Sequence, residues 1–297
     1  MRNIIRTISL VVLLIVPAQS CCAWEWKSLH EEADKIEVRL AEEKARKKTG
    51  SGQDMYVLGL VYLNLHKDTD ADRIFNELLS LSPGLPGPRW GRAEVLRRRH
   101  NLTASENALK DVIRLNPEFY PAYISLAYIN YTKLRFNESV KIARQVLKLG
   151  PEKLDLSNYV RAILLVSGSK GMIAHYGGPI SKIINGAPIF SELKKAERLK
   201  PLDPAVLFSL GSFYLFAPKI AGGDKTRAEA YLTKAIKADP QYSNAYVRLA
   251  QLYKFRGDTQ KYGYYLDKAL QVDPGNELAL DVKEDRCKFI CLGPKEN

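Results

Sequence analysis

The residues able to do chemistry are few and scattered. Four histidines, His30, His66, His100 and His175, stand in four separate stretches, none at metal-ligand spacing from another histidine or a cysteine. No H-E-x-x-H, G-x-S-x-G or G-x-x-x-x-G-K-[ST] occurs, so the sequence carries none of the usual zinc-protease, serine-hydrolase or phosphate-cradle signatures. The segment "GSGQD" is a glycine linker with no strand–helix context behind it. Cys287 and Cys291, in "RCKFIC", are too few for a zinc site. In an oxidising compartment they could instead close a short disulfide loop or stay as free thiols. The densest basic run, "RRRH" from Arg97 to His100, ends a helical stretch, where cations complement the helix dipole. It lacks the interleaved aromatics of a nucleic-acid surface. No catalytic residue, metal site or cofactor follows, and neither an enzyme nor a nucleic-acid binder is indicated.

The elements around these residues must therefore serve binding. The chain has 297 residues, of which 46% are hydrophobic and 26% charged, a composition that supports a packed core. The formal net charge of +12, with Lys and Arg spread along the whole chain, favours a basic, soluble surface, the alternative being an anionic partner. The first residues, "MRNIIRTISLVVLLIVPAQSCC", place Arg2 and Arg6 before an apolar run from Ile8 to Val16 and then small residues. That is the layout of a secretory signal over 1–20, or to 22, with cleavage expected after Ser20. Cleavage there leaves Cys21 first, the position that carries the lipid of a bacterial lipoprotein. The expected location is the periplasm, free or lipid-anchored, with membrane contact only through that lipid.

Prolines reveal a repeat. Pro83, Pro117 and Pro151 are spaced by 34, as are Pro240 and Pro274. Upstream of them recur Leu58-Gly59, Tyr62 and Ala71; Leu126-Ala127 and Phe136; Leu210-Gly211 and Tyr214; Leu249-Ala250, Tyr253 and Ala269. Small residues let two helices approach and large ones fill the space between them. This pattern resembles the tetratricopeptide repeat. The resemblance implies an all-α, right-handed solenoid of helical hairpins over 52–276, in units 52–85, 86–119, 120–153, 154–203, 204–242 and 243–276. Residues 24–49 are expected to form one amphipathic capping helix, and 277–297 a C-terminal capping helix and tail.

Two units are longer than the period. Pro151 to Pro201 is 50 residues and Pro201 to Pro240 is 39. Both extra lengths fall between the first helix (A) and the second (B), at His175, Gly177, Gly178 and Pro179 and at Pro218, Gly222, Gly223 and Asp224. Pro218 stops helix A, and Asp224 suits the cap of helix B. The stretch "FYLFAPKIAGGDKTRAEAYLTKAI" also resembles the T component of tripartite ATP-independent periplasmic transporters, through Pro218, Gly222, Gly223, Asp224 and Ala228. That resemblance implies an alternative role, an accessory binding a small apolar molecule or lipid in a pocket walled by the inserted turns.

In tetratricopeptide proteins the inner, concave face belongs to helix A. The matching positions are Tyr56 and Leu60; Trp90, Glu94, Arg97 and Arg98; Ile124, Tyr128 and Tyr131; Phe208; and Gln251, Lys254 and Phe255. The resemblance implies a groove of aromatics and cations that holds a protein or peptide partner, with some of these aromatics packing between units instead. The inserted turns discriminate: folded over helix A they wall a pocket, standing out they favour partner docking.

Overall fold

The computed structural model describes residues 24–47 and 51–289. The leader with Cys21, the linker residue Gly50 and Cys291 lie outside them. All regular structure among the described residues is helical. The N-terminal part holds α1 (Trp26–Ala33) and α2 (Val38–Arg46). Three hairpins follow: α3 (Gly52–Asn64) with α4 (Asp68–Leu81), α5 (Pro86–Arg98) with α6 (Leu102–Leu115), and α7 (Tyr120–Thr132) with α8 (Phe136–Leu147). Next come α9 (Leu156–Tyr176), α10 (Pro179–Gly186) and α11 (Ile189–Leu199). Then α12 (Pro204–Phe216), a 3-10 turn (Lys219–Ala221), α13 (Lys225–Ala238), α14 (Ser243–Arg256), α15 (Thr259–Val272) and α16 (Glu277–Lys283) complete the chain.

Local chemistry starts these helices where the repeat requires. Ser51 and Asp54 form a reciprocal capping box on α3. Side chains of Asn101, Asp155, Asp203, Asp224, Asp258 and Asn276 accept from the first backbone N–H groups of the helices they precede. Proline stands in the first turn of α5, α7 and α12, where its missing N–H costs nothing.

The hairpins close on small residues. Phe75 of α4 is fully buried and lies against two glycines, Gly59 of α3 and Gly91 of α5. A Cβ on Gly59 would stand 2.5 Å from Phe75 Cε1, and one on Gly91 would also collide with the ring. One aromatic thus locks a hairpin to the next because two helices present bare backbone to it.

The N-terminal cap differs from the expected single helix. The chain turns between Asp34 and Glu37, so α1 and α2 take different paths. Helix α2 lies on α3, burying Ala41, with the Tyr62 hydroxyl donating to Glu42 at 2.9 Å. Helix α1 runs instead across the inner side of the array. Trp26 Nε1 donates to the Glu118 carbonyl at 3.1 Å, Lys27 to the Glu152 carbonyl at 2.6 Å, and Asp34 accepts from Ser157. A straight helix could not meet both surfaces.

The solenoid also closes on itself. The turns after α3, α5 and α7 place His66, His100 and Leu134, spaced by 34, in left-handed backbone at φ 56°, 61° and 61°. His66 Nε2 meets Asp239 at 2.9 Å, and His100 Nε2 meets Asp273 at 2.8 Å. The two aspartates are the C-caps of α13 and α15 and are themselves 34 apart. Lys200, after α11, pairs with Asp34 of the N-terminal part at 3.6 Å. The long α9 completes the closure: Met172 enters the core formed by α14, α15 and α16, and Tyr176 donates to the Lys288 carbonyl.

Substituting Gly59→Ala should destabilise the protein by about 1–3 kcal/mol, because Phe75 has no free volume to move into; urea denaturation followed by circular dichroism measures it. At the seam, Asp273 holds the His100 imidazolium by a hydrogen bond, and its pKa lies above the ordinary 6.5 although burial opposes this; Glu277 adds to the rise and Arg97 subtracts from it. The raised value makes the pair's contribution complete below pH 6.5 and lost as pH rises through the folded pKa. The stability gap between wild type and His100→Gln should be widest near pH 6 and shrink by pH 9. It should not exceed about 1 kcal/mol, because solvent screens a half-exposed pair.

Candidate functional site

The inner face of the array divides into two zones. In the first, α1 covers the A helices. Tyr56 is fully buried, sharing a hydrogen bond with His30 Nε2 at 2.9 Å. Trp90 lies 5.0 Å from the His30 ring and donates Nε1–H to Ser125 Oγ at 3.0 Å. Leu60 and Ile124 are also buried. Of these four positions, expected to line an open groove, Tyr56, Leu60 and Trp90 pack in one core with Leu29 and Ala33 of α1, and Ile124 packs in the core that holds Val160 and Ile163 of α9. Burial draws the His30 pKa down to about 3, with Asp34 opposing and Arg161 reinforcing the shift. The ring is therefore neutral and serves as a hydrogen-bonding aromatic. A shallow recess remains beside Trp24, Trp26 and Leu85.

The second zone is cationic. Arg97 donates Nη2–H to Glu94 at 3.0 Å, and Arg161 stands 3.6 Å from the same carboxylate. Burial would lift the Glu94 carboxyl, but Arg97 and then Arg161 outweigh it and hold it at about 2. The Arg97 guanidinium covers the Tyr128 ring at 4.7 Å. Arg98 leaves the cluster to pair with Asp68 at 3.0 Å. Across the interior, Arg248 of α14 is buried over Phe216 at 4.7 Å and donates to Gln251 Oε1 at 2.6 Å. Its Nε has no partner among the described residues. The nearby Asp281 carboxylate is engaged by the backbone N–H groups of Lys288 and Phe289. Burial lowers the Arg248 pKa to about 10, so the group stays charged near neutrality. Tyr131 stacks on Phe289 at 6.0 Å, and Phe208 meets Tyr242 at 5.4 Å. Two arginines, Arg97 and Arg161, thus share the Glu94 carboxylate, and Arg248 lies among the aromatics Phe216 and Tyr131.

Lys254 and Phe255 stand apart from this cluster. Lys254 is exposed and pairs with Asp285 at 3.1 Å, while the Phe255 ring lies under Lys225 at 5.1 Å. Arg161, Arg248, Tyr242 and Phe216 escaped the repeat-position reading. Their signal was present: Arg161 and Arg248 are lone charges within apolar runs, "NYVRAILLV" and "AYVRLAQLY". Such a charge belongs to an interior where it finds partners.

The inserted turns stand out from the array. Gly177 ends α9, Gly178 and Pro179 open α10, and His175 is exposed before them. Helix α10 has no buried residue. The second turn holds Pro218, with Gly222 in left-handed backbone at φ 94° and Gly223 folded tightly over the Ala217 carbonyl. Ile220 at its tip is 100% exposed. This arrangement favours docking over a walled pocket. Cys287 is disulfide-bonded. No group of three or more candidate metal ligands occurs among the described residues, and no helix among them is long and apolar enough to cross a membrane.

The fold and interior define a class: a closed solenoid of helical hairpins, without strands among the described residues. Residues 231–261 match the tetratricopeptide repeat family. No curated protein matches the sequence. A tetratricopeptide repeat protein from Parabacteroides merdae is similar at TM-score 0.52 and 13% identity, over 86% of this chain and 95% of that one. The Cut9–Hcn1 hetero-tetramer of APC/C gives 0.57 and 15%, over 88% and 48%. The human IFIT1 dimer with m7Gppp-AAAA gives 0.55 and 18%, over 81% and 55%. This chain spans about half the length of those last two. The likeness is one of fold: the protein is built as a tetratricopeptide-type solenoid.

Acid should loosen the first zone. The folded His30 pKa lies below its unfolded value of 6.5, so stability present above pH 6.5 is lost as pH falls toward about 3. Between pH 6.5 and 4.5 the His30→Gln variant should escape about 2 kcal/mol of that loss, read from urea midpoints at each pH.

Proposed function

We propose that the protein is an exported scaffold that holds an acidic segment of a protein partner against its inner face. One observation carries the reading: Arg97 and Arg161 share the single carboxylate of Glu94, and Arg248 is a further buried cation next to Tyr131. Arg161 keeps 36% of its side-chain surface exposed, so an incoming carboxylate reaches it without unfolding anything. Tyr128, Tyr131 and Phe208 supply the apolar contact that charge alone lacks, and aromatic and arginine side chains dominate binding hot spots. Basic selection of an acidic partner raises specificity and association rate more than raw affinity. The mechanism is passive: a preformed cationic surface, fixed by the closure of the array, gains a counter-charge.

Export rests on the leader-like first 22 residues, with Cys21 as the lipid attachment point in a bacterial envelope. A protein partner is also the usual occupant of tetratricopeptide solenoids.

Fluorescence anisotropy with a labelled glutamate-rich peptide tests the interior. Binding should weaken as salt screens the charges, and Arg161→Glu should lower affinity by ~10-fold or more, with the circular dichroism spectrum unchanged. Equal binding of lysine-rich and glutamate-rich peptides, or indifference to Arg161→Glu, would sink the reading.

A further inference from the structure

Helix α10 is inside out. An amphipathic helix on a folded protein turns its apolar stripe to the core. Here the polar side faces inward: Ser181 Oγ donates to the Ile173 carbonyl of α9 at 3.2 Å, and Asn185, one turn on, is half-buried on the same side. Ser181 sits so close to Gly177 that a Cβ there would collide with it. The apolar side, Ile180, Ile183 and Ile184, faces solvent at 74%, 70% and 65% exposure. Isoleucines at this i, i+3, i+4 spacing make one continuous stripe.

The neighbouring insertion repeats the arrangement. Ile220 is fully exposed beside Lys219. The two insertions belong to adjacent hairpins and to the same A–B edge of the array. They are coupled by a stack of Phe190 on Phe213 at 5.2 Å, with Gly222 beside Phe213.

The charge carried by the two insertions is positive, with Glu192 and Asp224 at their borders. No Asp or Glu occurs between Asp155 and Glu192, or from Pro204 to Gly223, while Lys170, Lys182 and Lys219 fall within those stretches. The field is felt locally. After burial, Lys182 is the next cause that lowers the His175 pKa and Lys219 the next for Lys225; Arg144 does the same for Lys170, opposed by Glu192. A second copy of the chain would bring like charge onto like charge.

We infer that this edge docks onto an anionic lipid bilayer surface, with the isoleucines of both insertions entering the acyl boundary and Lys182 and Lys219 remaining among the headgroup phosphates. Interfacial helices combine this apolar stripe with flanking cations, and each lysine near an anionic leaflet adds attraction that salt screens. Isoleucine tips on two projections suit a soft apolar layer. A protein hot spot is instead typically an aromatic or arginine anchor in a pocket.

Hydrogen exchange on the full chain, with and without vesicles, tests this position by position. With phosphatidylglycerol–phosphatidylcholine vesicles, the amides of 179–186 and 219–223 should slow by ~10-fold or more, less so in high salt and with phosphatidylcholine alone. The double variant Ile183→Ser with Ile184→Ser should abolish that protection, and Lys182→Glu should reduce it. Both change solvent-facing side chains and leave exchange elsewhere unaltered. Three results would overturn the inference: vesicle association without protection of these segments, protection that survives the variants, or protection conferred by a soluble protein and not by vesicles.

Discussion

The interior of this protein exists because the repeat keeps register with itself across the seam. His66 and His100 are one period apart, and so are Asp239 and Asp273. Whatever geometry brings the first pair together therefore brings the second. Each pair is weak by itself, yet the match needs no adjustment of the hairpins, and packing of the extended α9 against the last helices adds a hydrophobic closure. An open array would expose the A helices along its whole length. The closed one leaves a bounded space, with α1 filling one side and arginines lining the other.

That division sets the chemistry. Under α1 the contacts are aromatic and the buried histidine is neutral, so this part is structural. Around Arg97, Arg161 and Arg248 the balance is positive, and Glu94 stays ionised because two guanidiniums hold it so. Buried charge is tolerated only with partners, and here the cations outnumber theirs. At the outer edge the imbalance is of another kind, apolar side chains in water above a polar contact. The two features lie on different parts of the molecule and call for different counterparts.

Much of the fold was legible in the sequence because tetratricopeptide helices are set by local signals. Prolines, glycines and N-cap side chains mark the helix starts and turns, and the two long spacings located the insertions. The candidate site was legible only in part. Repeat positions put Glu94, Arg97 and Tyr128 on one expected face, and Arg97 contacts both of the others. Such positions cannot say what fills the inside. Tyr56, Leu60 and Trp90 pack with α1 because the chain turns at Asp34, which no periodicity announces, and Ile124 packs with α9. Arg161 and Arg248 were missed because one sits in an expanded hairpin and the other off the standard inner positions. The isoleucines of α10 were visible as a stripe, but a stripe does not tell which way it faces; the Ser181 contact with Ile173 does.

Photo-crosslinking from position 128 in intact cells is the most direct test of the interior as a partner site. A benzophenone side chain in place of Tyr128 should capture a protein through an acidic segment, and Arg161→Glu should abolish the adduct while leaving expression unchanged. Adducts formed only from outward positions such as Lys110, with none from 128, would contradict it.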